Sequence, residues 1–235
     1  MALSTTTPFV SGNATLLSTT TVDSLSCVLS FVHLPLTGGF ATGHDYPDCH
    51  IRVWTSECVL EATLEEHTDT VCALAVRGCG GLVSGSWDRT ARVWSGTACV
   101  AVLEGHTSYV RAVAVHPSND NIVVTGSCDR TARVWDVASA TCTAVLEGHT
   151  DWVRAVMFQS DGSIVSGSFD KTVRVWSPDG SCKSALEHPD CVRCLTVLPD
   201  DTFIVGGGGL YDEPGFVRKW AGDVEQWTTS SSTCV

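Results

Sequence analysis

The chain has 235 residues, of which 43% are hydrophobic and 17% are charged, so it can build a packed core and is not a disordered chain. Its net charge of −12, from 14 basic and 26 acidic residues, argues against proteins that wrap nucleic acid or lie on an anionic membrane. No apolar run approaches the roughly 18 residues of a membrane helix, and residues 1–24 lack the basic and apolar regions of a signal peptide. We therefore expect a protein of the cytoplasm or the nucleus that binds no nucleic acid and does not insert into a membrane.

From about residue 22 onward, one unit of sequence recurs along the chain. Three segments nearly superimpose at intervals of 41 residues, namely GSWDRTARVW at 85–94, GSCDRTARVW at 126–135 and GSFDKTVRVW at 167–176. Weaker copies are CHIRVW at 49–54 and VRKW at 217–220. The repeat predicts five units of sequence, at approximately 22–64, 65–104, 105–147, 148–187 and 188–228. Residues 1–21, which are rich in Ser and Thr, are interpreted as a tail or a remnant unit, and residues 229–235 as a second tail.

Each unit has the pattern of short β-strands. In the third unit, residues 110–115 alternate and are rich in valine, and residues 121–125, 131–135 and 141–146 form three further short runs. Asp129-Arg130 marks a tight turn between the second and third runs. No segment shows helical periodicity over three turns. The pattern predicts an all-β fold of about five four-stranded propeller blades preceded by an N-terminal stub.

These repeats resemble those of the WD40 family. Gly105-His106 and Gly148-His149 match the glycine-histidine mark of that family, and Trp135-Asp136 is its tryptophan-aspartate pair. The resemblance implies a β-propeller, and because such rings commonly have seven blades, we expect an incomplete ring or one that a partner completes. The segments 82–88 and 190–193 are more specifically similar to the propeller of the phospholipase A-2-activating protein family, which implies ubiquitin binding.

One set of polar side chains and a tryptophan recurs in three units. By the resemblance, these residues form a buried hydrogen-bond relay in which the Asp receives hydrogen bonds from His, Ser or Thr and the indole. Three copies of one group fit architecture better than a single active site. The predicted relay residues are His67, Ser84, Asp88 and Trp94, then His106, Thr125, Asp129 and Trp135, then His149, Ser166, Asp170 and Trp176.

No catalytic, metal-binding or cofactor-binding residue is predicted. Most of the 12 cysteines lie in apolar, β-branched runs, so we expect reduced thiols packed in the core. Cys191 and Cys194 fall in an apparent strand, where residues three apart face opposite sides and cannot converge on one metal ion. The sequence contains neither a phosphate-binding loop nor a G-x-S-x-G motif. We expect a protein that is not an enzyme.

The candidate binding residues come from the family resemblance. It implies that the third and fifth residues after each relay His, and the residue before each turn Asp, face the binding side of the propeller. These positions include Thr70, Cys72, Cys128 and Cys191. The aromatic and arginine residues among them, which are the types enriched at binding hot spots, are Trp87, Tyr109, Arg111, Trp152, Arg154, Phe169 and Arg193.

Two interpretations of the three arginines remain open. Each arginine can pair with an acidic neighbour on the surface, or the three can form a cationic arc that binds a carboxylate or a phosphate. The first functional hypothesis is a non-catalytic scaffold that binds ubiquitin or a ubiquitin-pathway partner in ubiquitin-dependent protein turnover. The alternatives are a phosphopeptide-reading substrate receptor of a ubiquitin ligase and a general scaffold of another complex.

Overall fold

Every regular element that the structure describes is a β-strand. The computed structural model describes residues 27–208 and 215–220, and its strands form five antiparallel sheets in which each strand pairs with its neighbours in sequence. None of the described residues belongs to a helix, so the described part of the chain contains no helix that could cross a membrane. The predicted all-β fold is confirmed.

Four of the five described sheets have four strands, and the fifth has three. A fourth strand of the last sheet would fall after Trp220, outside the described residues, as do the predicted stub at 1–21 and tail at 229–235. The strands of the first two sheets are β1 Val28–His33, β2 Phe40–His44, β3 Ile51–Trp54, β4 Leu60–Leu64, β5 Val71–Val76, β6 Leu82–Ser86, β7 Ala91–Ser95 and β8 Ala98–Leu103. Those of the other three are β9 Val110–His116, β10 Asn119–Ser127, β11 Ala132–Asp136, β12 Thr141–Leu146, β13 Val153–Phe158, β14 Ile164–Ser168, β15 Thr172–Trp176, β16 Cys182–Glu187, β17 Val192–Val197, β18 Phe203–Gly207 and β19 Phe216–Trp220.

Within the described residues, the hydrophobic core consists of four clusters, each between two consecutive sheets. In one of them, Val83 and Leu103 of the second sheet pack against Val110, Val123 and Trp135 of the third sheet. The first strands of consecutive sheets, β1, β5, β9, β13 and β17, also contact one another directly. Sheets that meet along their first strands and bury apolar faces between them are the blades of a β-propeller.

A glycine in the second strand of a blade allows the next blade to approach closely. A Cβ atom on Gly126 would lie 2.8 Å from Cγ1 of Val153 and 3.0 Å from Cγ1 of Val156, which belong to the first strand of the next blade. Gly85 and Gly167 face the next blade in the same way. The recurring Gly-Ser pair therefore sets the distance between blades, because only a residue without a side chain fits against the valine.

The cysteines are only partly core residues. All eleven described cysteines are free thiols, and Cys49 and Cys128 are the buried ones among them. The expectation of core packing is wrong for the exposed Cys27, Cys79, Cys182 and Cys194. Cys182, for example, lies in β16, a fourth and outermost strand whose residues are mostly exposed, so an apolar run there is not covered by a second layer.

Candidate functional site

The predicted relay residues form a continuous chain of hydrogen bonds in each of the three middle blades. In the third blade, Trp135 Nε1 donates to Thr125 Oγ1 at 2.8 Å, this hydroxyl lies 2.7 Å from His106 Nε2, and His106 Nδ1 lies 2.7 Å from Asp129 Oδ2. A carboxylate can only accept, so Nδ1–H of His106 donates to Asp129, and Nε2, which is left without a proton, accepts from the Thr125 hydroxyl. The matching chains are Trp94–Ser84–His67–Asp88 and Trp176–Ser166–His149–Asp170.

The donors to the relay Asp differ in part from those expected. The indole and the second-strand hydroxyl do not contact Asp129, whose other donors are the backbone N–H of Thr107 and both the backbone N–H and the hydroxyl of Thr131. Burial alone would raise the pKa of Asp129, but hydrogen bonds from His106 and Thr131 outweigh it and hold that pKa well below its usual range. An ionised Asp thus joins three segments of one blade.

The relay is rebuilt in the first blade and broken in the fifth. In the first blade, His44 comes from the end of β2 and bonds Thr42 Oγ1 at 2.9 Å, which also accepts from Trp54 Nε1. In the fifth blade, His188 is buried and neither ring nitrogen has a hydrogen-bond partner among the described residues, because Val205 occupies the place of the hydroxyl residue. Burial, with a smaller contribution from the Arg218 charge, lowers the pKa of His188 to about 4.

The seven predicted binding residues lie together and form what we call the aromatic–arginine strip: Trp87, Tyr109, Arg111, Trp152, Arg154, Phe169 and Arg193. The rings of Trp87 and Tyr109 stack with centroids 5.0 Å apart and planes at 15°. The rings of Trp152 and Phe169 stack at 5.5 Å. Arg111 lies between the two pairs, with its guanidinium carbon 4.4 Å from the Trp87 ring centroid and 6.0 Å from that of Trp152. The strip therefore crosses the boundaries between the second, third and fourth blades.

The remaining two arginines extend the strip toward the fifth blade. The guanidinium carbons of Arg154 and Arg193 lie 5.6 and 5.5 Å from the Phe169 ring centroid. Trp152 and Tyr109 are 42% and 40% exposed, so the strip offers aromatic area to a partner. Its role in binding stays a prediction, but its parts are contiguous.

A backbone irregularity places the three arginines. Each arginine lies at a register shift near the start of the first strand of its blade, where the first strand has one extra residue that pairs with none in the second strand. These positions are Arg111 in β9, Arg154 in β13 and Arg193 in β17. Such β-bulges redirect a side chain and often lie beside functional sites. Periodicity in the sequence carries no signal for these bulges, so only the strand pairing reveals them.

Two of the three arginines have no acidic partner within residues 27–208 and 215–220. The salt bridges of the described chain do not include Arg111 or Arg154, whereas Arg193 Nε donates to the carbonyl oxygen of Gly208 at 3.0 Å. Burial, followed by the nearby Arg111 charge, lowers the pKa of Arg154. Among the described residues, the interpretation in which each arginine pairs with an acidic neighbour therefore finds no support for these two.

Sequence reasoning passed over the cationic turn residues beside the strip. Arg89 and Arg130, each directly after a relay Asp, adopt φ angles of 73° and 72° and are exposed. Lys171 occupies the matching position with φ of 68°, and its Nζ lies 3.7 Å from Asp190 Oδ1. The sequence did contain a signal for these residues, because a basic residue follows the turn Asp in each of the three units. These residues add positive charge beside the strip in a protein whose net charge is −12.

Comparison with known proteins identifies the repeats. The family described as "WD domain, G-beta repeat" matches residues 58–95, 97–136 and 140–177. The chain is a WD40-repeat protein. This confirms the predicted family, and WD40 repeats indicate a protein-interaction scaffold that generally binds proteins or peptides and is generally not an enzyme. Among the described residues, no group of three or more His, Cys, Asp or Glu side chains could hold a metal ion.

Three relatives are similar to parts of this WD40 chain. Phospholipase A-2-activating protein of Xenopus laevis is 39% identical over 94 residues, which are 40% of the chain and 12% of that protein. Small ribosomal subunit protein RACK1y of Oryza sativa subsp. japonica is 58% identical over 38 residues, 15% of the chain and 11% of that protein. WD repeat-containing protein pop1 of Schizosaccharomyces pombe is 31% identical over 104 residues, 32% of the chain and 13% of that protein. The chain thus matches less than one seventh of the length of each relative.

Proposed function

We propose that this WD40 protein is a non-catalytic scaffold that binds ubiquitin, or a protein of the ubiquitin pathway, through the aromatic–arginine strip. The contiguous arrangement of seven aromatic and arginine side chains is the observation that supports this proposal. Trp, Tyr and Arg are the residues that most often dominate binding energy at interfaces. The resemblance to the phospholipase A-2-activating protein family, which implies ubiquitin binding, makes ubiquitin the first partner to test, in the cytoplasm or the nucleus.

The strip is also held in place before any partner arrives. Trp87, Cys128 and Phe169 each donate a backbone hydrogen bond to the loop before the first strand of their own blade, at 2.9, 2.9 and 3.0 Å. The stacked rings and the guanidinium group between them restrict one another. A surface whose side chains are already ordered loses little conformational entropy on binding, which favours affinity.

The experiment is a titration of 15N-labelled ubiquitin with the full chain, followed by NMR. We expect saturable shifts, and we expect Trp152→Ala to weaken binding by at least about tenfold, as for a hot-spot residue. Phe31→Ala is the matched control, because Phe31 is an exposed aromatic residue outside the strip. Absence of shifts at millimolar ubiquitin, or equal effects of the two variants, would contradict the proposal. Thermal melting of both variants separates loss of binding from loss of folding.

A second function, reading of a phosphorylated peptide as a substrate receptor of a ubiquitin ligase, is favoured by one observation. Arg111 and Arg154 lie close enough for the charge of one to lower the pKa of the other, and neither has a carboxylate partner among the described residues. An incoming phosphate would relieve this repulsion, and each charge-assisted hydrogen bond would contribute about 1.5–3 kcal/mol.

The two functions give different binding results. Replacing Arg111, Arg154 and Arg193 together by Glu should abolish phosphopeptide binding and leave folding intact. Lys183→Glu is the control, because Lys183 is an exposed cation outside the strip that lies 3.8 Å from Asp161. If a phosphopeptide library binds while ubiquitin does not, the ubiquitin proposal fails. If the triple variant still binds phosphopeptides as well as the wild type, the second function fails.

A further inference from the structure

At the ends of the blades opposite the strip, neighbouring blades are tied together by their first turns. Between the second and third blades, Arg77 Nε donates to the carbonyl oxygen of Asp120 at 3.1 Å. The Asp120 carboxylate accepts from the backbone N–H groups of Gly78 and Cys79 at 2.9 and 2.7 Å. We call this combination of a side-chain donor, a backbone donor and a carboxylate a turn clasp.

A second turn clasp joins the fourth and fifth blades. Gln159 Nε2 donates to the carbonyl oxygen of Asp201 at 3.0 Å, and the backbone N–H of Ser160 donates to Asp201 Oδ1 at 2.8 Å. The Ser160 hydroxyl also contacts the second carboxylate oxygen. Gln159 and Ser160 stand at the same places in their blade as Arg77 and Gly78 do in the second blade.

The boundary between the third and fourth blades lacks a turn clasp for three reasons that can be read in the sequence. His116 stands where Arg77 and Gln159 donate. Pro117 follows it and has no N–H to donate. Gly162, with φ of 82°, stands where Asp201 supplies a carboxylate. Neither His116 nor Gly162 forms a hydrogen bond across this boundary among the described residues.

A cleft with a volume of about 200 Å³ opens at this boundary. Most of its surface is apolar, and Asp136 and Thr143 contribute polar groups. The hydrophobic side chains at the cleft come from both blades, and the ring of Phe158 packs against His116 with centroids 5.0 Å apart. The walls of the cleft are formed by His116, Ile122, Val134, Phe158, Ile164 and Pro178.

His116 presents a hydrogen-bond donor to the cleft. Its Nδ1 accepts the backbone N–H of Ser118 at 3.1 Å, so the proton of the neutral ring is on Nε2. Nε2 faces Gly162, since a Cβ atom added there would lie 2.9 Å away. Within the described part of the chain, no acceptor forms a hydrogen bond with Nε2. The cleft therefore combines apolar walls with one directed N–H group.

We propose that this cleft is a second binding site, which takes an apolar side chain of a partner peptide together with the adjoining backbone amide. The apolar walls suit a side chain of the size of leucine, and His116 Nε2–H suits the peptide carbonyl oxygen. Asp136, which also lines the cleft, adds negative charge there and disfavours an anionic ligand. The site does not depend on the aromatic–arginine strip, because β9 carries Arg111 near one end and His116 at the other, about 17 Å apart along the strand.

The test uses the full chain and a minimal peptide mimic, N-acetyl-leucine-N-methylamide, observed by NMR of the methyl groups and histidine rings. We expect saturable shifts of the Ile122, Val134 and Ile164 methyl groups and of the His116 Nε2 resonance. We expect Arg111 in the strip not to respond. Absence of saturable shifts at concentrations up to about 10 mM, where even weak contacts register, would overturn the proposal, as would shifts confined to the strip.

Two variants and a second probe sharpen this test. Gly162→Asp should place a carboxylate beside Nε2 and abolish binding, and Asp201, with φ of 59°, shows that Asp adopts this conformation in the matching turn. His116→Phe keeps a ring against Phe158 but removes the donor, and should weaken binding about fivefold. Isovalerate, which has a similar apolar group but a carboxylate, should bind more weakly than the amide. Unchanged affinity in Gly162→Asp, or tighter binding of isovalerate, would refute the proposed site.

Discussion

Replacing Asp129 with alanine removes the acceptor at the end of the relay in the third blade. The carboxylate of Asp129 accepts from His106 Nδ1, from the backbone N–H of Thr107, and from the N–H and hydroxyl of Thr131, at 2.7 to 3.0 Å. Thr107 is exposed, so its N–H can bond water instead. The His106 side chain is only 1% exposed and cannot. One fully buried orphaned donor, together with lost charge-assisted bonds, should lower the free energy of unfolding by about 2–3 kcal/mol.

The assay is urea unfolding at pH 7 followed by tryptophan fluorescence. Asp136→Ala is the control, because the Asp136 side chain bonds to Ser139 in an exposed turn, and it should cost less than about 1 kcal/mol. In a thermal melt, Asp129→Ala should lower the melting temperature by about 5–10 °C for a chain of this length.

The pH dependence supplies a further check on the relay. The pKa of Asp129 is depressed in the folded protein, so its ionised form contributes stability above the unfolded value of 3.8, and this contribution is lost as the pH falls below that value. The difference between wild type and Asp129→Ala should therefore be constant from about pH 8 to pH 5 and shrink below about pH 4. A loss no larger than that of Asp136→Ala at pH 7 would refute the relay argument.

Three other changes test the packing and the buried titratable groups. Gly126→Ala forces a Cβ into the next blade and should cost about 1–3 kcal/mol in urea unfolding, and an unchanged midpoint would contradict the close approach. Burial and the Arg218 charge lower the pKa of His188 to about 4, so the wild type should lose stability as the pH falls from 6.5 toward 4. His188→Phe should not show this loss, because it has no group to protonate. Equal pH dependence of stability in the two proteins would contradict the prediction. Burial raises the pKa of Cys72 to about 11, so iodoacetamide should modify it far more slowly at pH 7.5 than the exposed Cys194, and equal rates by mass spectrometry would be the contrary result.

The relay shows how far residue types alone carry a structural prediction. His, Ser or Thr, Asp and Trp recur at fixed spacings, and a buried carboxylate requires donors, so the members of the relay could be named. The order in which these residues bond to one another could not be predicted from the sequence. The indole donates to the hydroxyl and not to the Asp, because the pairing of β10 with β11 brings Trp135 close to Thr125.

The aromatic–arginine strip was likewise only partly predictable from the sequence. Its members could be named from the family resemblance, because each occupies one of three positions that recur in every unit. The sequence could not show that Arg111 lies between Trp87 of one blade and Trp152 of another, because this position depends on the packing of three blades. It also could not show that Arg111 has no carboxylate partner among the described residues, because this depends on where the acidic side chains lie.

The repeat by itself determined the all-β class, and the family resemblance that it carries named the relay residues and the residues of the strip, because alternation and hydrogen bonding within one blade are local and recur every 41 residues or so. Tertiary structure decided what the repeat does not show, namely the β-bulges within the blades that place the arginines and the cleft between two blades beside His116. Each of these depends on contacts between residues far apart in sequence, where one glycine or proline changes which groups can meet. Local chemistry can be read along the chain, whereas the spacing of one blade against the next is set only when all of them pack.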